Sequence, residues 1–305
     1  MTTFTPSSEI ARALKLALPI VALESTVVTH GLPHPENLHL ARDMESAVQE
    51  EGAIPATIAI LNGQVRVGLT QAEVEELSKA KAIKVSRRDF ATAIVKKAHG
   101  GTTVAGTMLV AKQAGIQVFA TGGIGGVHRE APFDISTDLQ SLADTPMIVV
   151  CTGAKAILDL PATLEYLETM GVPVVGYQTE EFPAFYSRES GLKVSVKLDS
   201  PEEIVAFAKA HWGMGLNSAV LVTNPIPKLT AIPKKVMDPI IDKASEEAKQ
   251  KGIHGQALTP FLLQRINELT DGRSLQANLS LLLNNARLAA QIARVLALQA
   301  RTRAV

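Results

Sequence analysis

The chain has 305 residues, with 30 Lys+Arg balanced by 30 Asp+Glu and hydrophobic residues making up 46%. That composition excludes an intrinsically disordered chain. A net charge of zero without a basic block excludes a chain-wide electrostatic grip on a nucleic acid polymer or an anionic membrane, so any anionic ligand must be caught locally.

The single cysteine, Cys151, has no partner for an internal disulfide. A chain of this length buries roughly 75% of its unfolded surface on folding and needs no covalent staple. The opening MTTFTPSSEI has neither a charged nor an apolar leader region, and no apolar run reaches the ~18 residues of a membrane span. A cytosolic location without a membrane partner is expected.

Short β-rich runs alternate with longer segments of helical period, which predicts an α/β fold with a largely parallel sheet. No linker or repeat marks a boundary, so residues 1–305 are expected to form one domain. The first predicted strand, Pro19 to Leu23, ends at Glu24. A carboxyl at the end of a buried strand has a raised pKa and can donate a proton; a capping or ion-paired glutamate is the alternative. A helix is predicted over Glu36 to Glu51. Strands over Thr57 to Leu61 and Val65 to Gly68 flank Asn62-Gly63, a hairpin signal that makes the sheet mixed. After a helix over Gln71 to Lys81, the strand Ile83 to Ser86 carries Lys84. Lys84, Arg87 and Arg88 offer a cationic supplement to the glycine loop that follows if the strands are neighbours, although Arg87 and Arg88 fit solvent better, and a helix is predicted over Arg88 to His99.

Gly100-Gly101-Thr102-Thr103-Val104 reads as a loop opening the helix Val104 to Ala114. Free amides, the positive end of the helix dipole and the Thr102 or Thr103 hydroxyl would hold a phosphate there; a plain glycine turn with a threonine cap fits as well. The strand Gln117 to Ala120 leads into Thr121 and the glycines of TGGIGGVHR. Because Gly123-x-Gly125-x-x-His128 runs on into Arg129-Glu130-Ala131-Pro132 and not into a helix, it is no dinucleotide fingerprint. Its glycines permit close backbone approach to a ligand, with His128 beyond them.

In FDISTDL, Asp134 and Asp138 stand four apart and on a helix would share a face. Oxygen-only ligands suit a hard ion such as Mg²⁺ or Mn²⁺, whereas an Asp134 cap with a solvated Asp138 needs no metal. His30, His34 and His39 lack zinc-site spacing. The strand Met147 to Cys151 delivers Thr152-Gly153-Ala154-Lys155 to the start of a helix predicted over Lys155 to Met170. CTGAK is not a Walker loop. An amine carried into a desolvated or cationic site loses its proton more readily than in water, as imine chemistry with a sugar requires; a phosphate-binding or surface lysine fits the spacing equally.

Strands over Val172 to Tyr177, Lys193 to Leu198 and Ala219 to Thr223 complete the sheet. Helices follow over Pro201 to His211, capped by Ser200, over Pro233 to Lys251, over Thr259 to Thr270 and over Leu275 to Ala300. Gln178-Thr179-Glu180 and Asn224 sit at strand ends, as do Glu24, Lys84, Thr121 and Lys155, so six strand ends nominate one rim for the ligand. The last helix is more widely apolar than one exposed helix requires, which fits either intramolecular core or a subunit interface.

Taken together, ALESTVVTHGLPHPEN, KVSRRDF, GGTTVAGTM, VFATGGIGGVHR, FDIST, the stretch from CTGAKAILDLPATLEYLE to EFPAFY, TNPIP, LTPFLL and the NNA of the last helix resemble the pseudouridine-5′-phosphate glycosidase family, which is indigoidine synthase A-like. The likeness runs unbroken from about Ser8 to Leu296. It implies a three-layer α/β/α fold, commonly a homotrimer, a divalent metal (usually Mn²⁺), and reversible cleavage of pseudouridine 5′-phosphate to uracil and ribose 5-phosphate.

Carried over position by position, the resemblance makes Lys155 the imine-forming nucleophile and Glu24 the proton donor. It puts Lys84, Thr103 and Val104 on the substrate phosphate, Asp134 on the metal, and Ser136, Thr137 and Asp138 on a substrate- or metal-contacting stretch. His128 and Asn278 match polar positions facing sugar and base. In the chemistry implied, Glu24 protonates the ring oxygen as Lys155 takes C1′, an imine then serves as electron sink while C1′ leaves uracil C5, and water frees the sugar. The metal would polarise or template through bound waters. Thr152 stands where the family often has Ala, which would add a hydroxyl near the nucleophile, and Gln256-Ala257 stand where an acid is frequent. The same Lys and Glu would serve cleavage of a related nucleotide; a non-catalytic sugar-phosphate-binding protein would keep the phosphate loop without needing either.

Overall fold

The structure, a computed structural model, describes residues 4–129, 131–253, 255 and 258–302. Among them the strands are β1 (Thr5–Pro6), β2 (Ile20–Leu23), β3 (Ile54–Leu61), β4 (Gln64–Val67), β5 (Ile83–Val85), β6 (Gly100–Thr102) and β7 (Val118–Ala120). The later strands are β8 (Val127–His128), β9 (Ala131–Ile135), β10 (Ile148–Cys151), β11 (Leu158–Asp159), β12 (Val174–Tyr177), β13 (Val196–Leu198) and β14 (Val220–Thr223). The helices are α1 (Ser8–Lys15), α2 (Glu36–Glu50), α3 (Gln71–Lys79), α4 (Phe90–Val95), α5 (Val104–Ala114) and α6 (Thr137–Asp144). They continue with α7 (Leu160–Thr169), α8 (Pro201–Gly213), α9 (Lys234–Gln250), α10 (Leu258–Leu269) and α11 (Arg273–Thr302).

The main sheet runs β1-β4-β3-β2-β7-β10-β14-β12-β13, with β6 beside β3 and β5 beside β6. Neighbours from β3 through β13 are all parallel. The exceptions are β4 and β6, both antiparallel to β3. The β3–β4 turn is at Asn62-Gly63, both with positive φ (50° and 78°), as a tight hairpin of this hand demands. The buried run Ile148–Cys151 has no polar alternation, because helices cover both faces of a parallel strand. On one side α11 crosses β2, β7 and β10, with α2 and α8 beside it; α5 packs on β2 and β3 with α6 against it. The result is the expected three-layer α/β/α arrangement with a mixed, largely parallel sheet.

The nine strands expected are all present, with ends shifted by one to three residues. Three expectations are corrected. Gly100 to Thr102 is strand β6 and not loop, unreadable because two glycines give no side-chain alternation. Lys155 does not start a helix: the chain first pairs β11 with β8, and α7 begins at Leu160, after the cap Asp159. The helix expected over Arg88 to His99 is the shorter α4, Phe90–Val95. The apolar face of α11 is also accounted for, since Leu281, Leu282, Ala286, Ala289, Ile292 and Ala293 are buried within the chain. It gives no separate argument for a subunit interface.

Candidate active site

Glu24 directly follows β2, Lys84 lies in β5, and Lys155 follows β10, so three carboxyl ends of the sheet converge on one pocket of about 300 Å³. The helix starts Thr103-Val104 and Ser136-Thr137, with His128 and Asp134, line the same pocket. Asn278 comes from α11 and faces a narrow neck of about 70 Å³ next to Glu24 and Lys155. The rim reading therefore holds for Glu24, Lys84, the Gly122-Gly123 end and Lys155. It fails for two ends: Gln178 donates to the carbonyl of Asp199, and Asn224 is buried against α11.

Glu24 is 8% exposed. Its neighbour Ser25 locks the backbone, donating to the Ile58 carbonyl at 2.6 Å and accepting from the Thr102 amide at 2.9 Å. The Thr121 hydroxyl donates to Glu24 Oε1. Burial pushes the Glu24 pKa above the ordinary carboxylate value, against the downward pull of Lys155, Thr121 and Lys84 and with an upward push from Asp138. Burial thus makes the Glu24 carboxyl hold its proton more tightly than an ordinary carboxyl does, which suits a proton donor.

Lys155 is held from its backbone. Its amide donates to the Ile124 carbonyl at 3.1 Å, and Arg129 donates to the carbonyls of Ala156 and Leu158 at 3.0 and 3.2 Å. The turn before it needs Gly153: φ is +75°, and a Cβ there would lie 2.1 Å from the Pro183 carbonyl oxygen. Lys84, half-buried, has its pKa lowered by burial first and then by the charge of Lys155, so the two ammonium groups feel each other across the pocket.

One end of the pocket is defined by which amides stay open. At the start of α5, the amide of Ala105 goes to Asp138 Oδ1 at 2.9 Å and that of Gly106 to Thr103 Oγ1 at 3.2 Å, while that of Thr107 goes to the Thr103 carbonyl at 2.7 Å. Among the described residues the Val104 amide has no partner, and it lines the pocket. At α6 the Asp138 amide is capped by Ser136 Oγ at 3.2 Å, which leaves the Thr137 amide open beside it. Two helix N-termini thus present open N–H groups and their positive dipole ends to one space, next to Lys84, an arrangement that binds phosphate.

Asp134 and Asp138 do not share a helix face, which corrects the spacing argument: Asp134 is in β9 and Asp138 in α6, with Ser136 as the cap between them. Asp138 is buried, and each of its oxygens already accepts a backbone N–H, from Ala105 at 2.9 Å and from Gly125 at 2.8 Å. Asp134 is exposed in the pocket, and its carboxylate makes no hydrogen bond or ion pair among the described residues. Among the described residues, no group of three or more His, Cys, Asp or Glu forms a ready metal cluster there.

Gly125 lines the pocket and Gly122 and Gly123 line the neck, so the glycine backbone borders the space open to a ligand while it also packs tightly against protein. A Cβ on Gly125 would lie 2.2 Å from Ser136 Oγ, and one on Gly123 2.6 Å from the Phe185 ring. The Thr152 hydroxyl is likewise turned from Lys155 toward Asn285. Residues 256 and 257 lie outside those described. Strand β5 does lie beside β6; Arg87 is paired with Asp144 at 2.7 Å, while Arg88 lines the pocket with Lys84.

Two positioning residues escaped the sequence reading. Thr121 was noted at a strand end without a role. Asn285, fully buried on α11, donates to the carbonyls of Thr121 and Gly122 at 2.8 and 3.4 Å and to Thr152 Oγ1 at 3.0 Å, and accepts from Asn224 at 3.1 Å. An asparagine inside an apolar helical stripe was the available signal, since a buried amide must find partners.

Comparison with known proteins places this geometry. The family model described as "Indigoidine synthase A like protein" matches residues 9–295. A curated protein of Geobacillus kaustophilus, named pseudouridine-5′-phosphate glycosidase, is 54% identical over 293 residues, covering 95% of this chain and 97% of the relative. Among solved structures, the prealnumycin C-glycosynthase AlnA in complex with ribulose 5-phosphate superposes with a TM-score of 0.90 at 41% identity, covering 99% of each chain. An indigoidine synthase A-like protein from Thermotoga maritima superposes with a TM-score of 0.87 at 36% identity, covering 92% of this chain and 94% of that one.

Proposed function

The chain belongs to the indigoidine synthase A-like family, and we propose that it breaks, and in reverse makes, the C-glycosidic bond of pseudouridine 5′-phosphate, with uracil and ribose 5-phosphate on the other side of the reaction. The observation that carries the reading is geometric: the buried Glu24 carboxyl faces a pocket it shares with Lys84, Lys155 and two open helix N-termini. The pentose phosphate bound by the related C-glycosynthase supports a sugar phosphate in this pocket.

The phosphate sits on the Val104 and Thr137 amides with Lys84 and the Thr103 hydroxyl, which puts the sugar between Glu24 and Lys155. A carbon-linked uracil is a poor leaving group, so displacement by paired carboxylates is closed. The Lys155 amine attacks C1′ instead, and the bond from C1′ to the ring oxygen breaks as that oxygen takes the Glu24 proton. The nitrogen lone pair then forms the C=N bond while the C1′–C5 bond breaks; its electrons go to uracil C5, which is protonated. Electron count thus makes the imine form during carbon–carbon cleavage, not before it as the sequence reading had it. Water adds to the imine and releases ribose 5-phosphate and the amine.

A divalent cation fits the residues present. Asp134 offers one free carboxylate beside the phosphate end, and a hard ion that keeps most of its own water needs little more. Mn²⁺ held there would supply electrostatic stabilisation and orient bound water. No helix among the described residues is long and apolar enough to cross a membrane, and with its lone buried cysteine this supports the proposed cytosolic location. The proposed assembly is a homotrimer; a monomeric mass by light scattering would reject it. The deciding assay is incubation of the enzyme and Mn²⁺ with pseudouridine 5′-phosphate. Equal release of uracil and ribose 5-phosphate is expected, and no release under saturating metal would reject the function.

A further inference from the structure

We infer that the chamber beyond the reaction centre is an aglycone site that admits a flat, uncharged aromatic larger than a single pyrimidine. The inference rests on the glycosidase reading above. Three spaces connect in series: the phosphate pocket of about 300 Å³, the neck of about 70 Å³, and a chamber of about 640 Å³. Glu24, Lys84 and Lys155 line both pocket and neck, while His30, Gly31, Pro260, Leu263 and Asn278 line both neck and chamber. With the sugar phosphate in the pocket, the group on C1′ has to point through the neck. Sites for small organic ligands span roughly 300–1,000 Å³, so the chamber is sized for a substantial ring system.

Its walls state the chemistry. Leu32, Pro33, Leu263, Leu275 and the buried Tyr186 are apolar or aromatic. Gln264, Asn267, Ser274 and Asn278 add a few uncharged polar groups to the same lining. Glu36 and Glu268 line the chamber while no described lysine or arginine does, which disfavours a second anionic group. At His30, burial and then Lys84 lower the pKa, which disfavours the charged form, and its Nδ1 is 2.7 Å from Thr29 Oγ1.

In the synthetic direction the step is redox-neutral. An aromatic carbon loses its hydrogen as a proton and bonds C1 of ribose 5-phosphate, and the C1 oxygen leaves as water.

The test supplies ribose 5-phosphate and Mn²⁺ with uracil or with its N1- or N3-benzyl derivative, and measures C-ribosyl phosphate product by mass spectrometry. At least one benzyluracil should react within about tenfold of the uracil rate. Leu275→Trp, which narrows the chamber alone, should lower the benzyluracil-to-uracil rate ratio by about tenfold or more. Gln264→Trp, on the same wall at an exposed position, serves if Leu275→Trp does not fold. Rejection of both benzyl isomers as substrates and as competitors, while uracil reacts, overturns the inference. So does an unchanged ratio in the folded variant. Failure of uracil itself to react would overturn the underlying glycosidase reading instead.

Discussion

The hydroxyl of Thr121 donates to the carboxyl of Glu24, a residue 97 positions earlier in the chain, across the β2–β7 pairing of the sheet. That bond favours ionised Glu24, against the burial that disfavours it. Thr121→Val should therefore raise the Glu24 pKa further and move the alkaline limb of the kcat/KM profile to higher pH. An unmoved limb would mean that another group sets it.

Glu24→Gln should lower kcat by roughly 10²–10⁴, the usual contribution of a general acid, with the fold intact by circular dichroism. Stability has its own signature. The folded chain binds the Glu24 proton more tightly than the unfolded chain does, so this contribution is complete below the ordinary carboxylate pKa and is lost as pH rises through the raised value. Melting temperature against pH should fall less steeply over that window in Glu24→Gln than in the unsubstituted protein.

Borohydride reduction in the presence of ribose 5-phosphate separates the two lysines. The sugar adduct should map to the peptide containing Lys155, and Lys155→Ala should abolish both adduct and turnover. Lys84→Ala should instead raise KM by about 10–100-fold, the loss of one charge-assisted contact to phosphate. An adduct on Lys84 would reverse the assignment.

Asp134→Asn should weaken Mn²⁺ binding measured by calorimetry, and chelation should suppress turnover of the unsubstituted enzyme. Because Asp134 lies exposed on β9 with no partner among the described residues, the substitution should leave the melting temperature unchanged.

Asn285→Leu removes an amide that four carbonyl or side-chain groups use. The Gly122 carbonyl keeps the Thr152 amide at 2.9 Å, but the Thr121 carbonyl loses its Asn285 donor, at a cost of about 1–3 kcal/mol, so denaturant midpoints should fall clearly. In the folded fraction kcat should drop more than KM changes, since the loops bearing Thr121 and Thr152-Gly153 shift relative to each other.

What could be read beforehand follows a physical divide. Strands such as Ile148–Cys151 and caps such as Ser200 are written in local composition, and Glu24, Lys84 and Lys155 were legible because a parallel sheet collects its strand ends on one rim. Long-range bookkeeping was not legible. Asp138 looked available for a ligand until its oxygens were found on the amides of Ala105 and Gly125, and Val104 is the open amide only because its neighbours are occupied. Strand β6 was hidden by its own glycines, and β11 by a helical pattern that begins five residues after Lys155.

The order of the site along the chain also governs when it can come into being. Glu24, Lys84 and Lys155 all precede residue 156 of the 305, but Asn278 and Asn285 belong to α11, the last helix made among the described residues. A nascent chain halted before α11 would hold both reactive groups on loops not yet tied together. Docking of the final helix across β2, β7 and β10 is the step that ties the loop after Glu24's hydrogen-bond partner Thr121 to the loop that leads to Lys155.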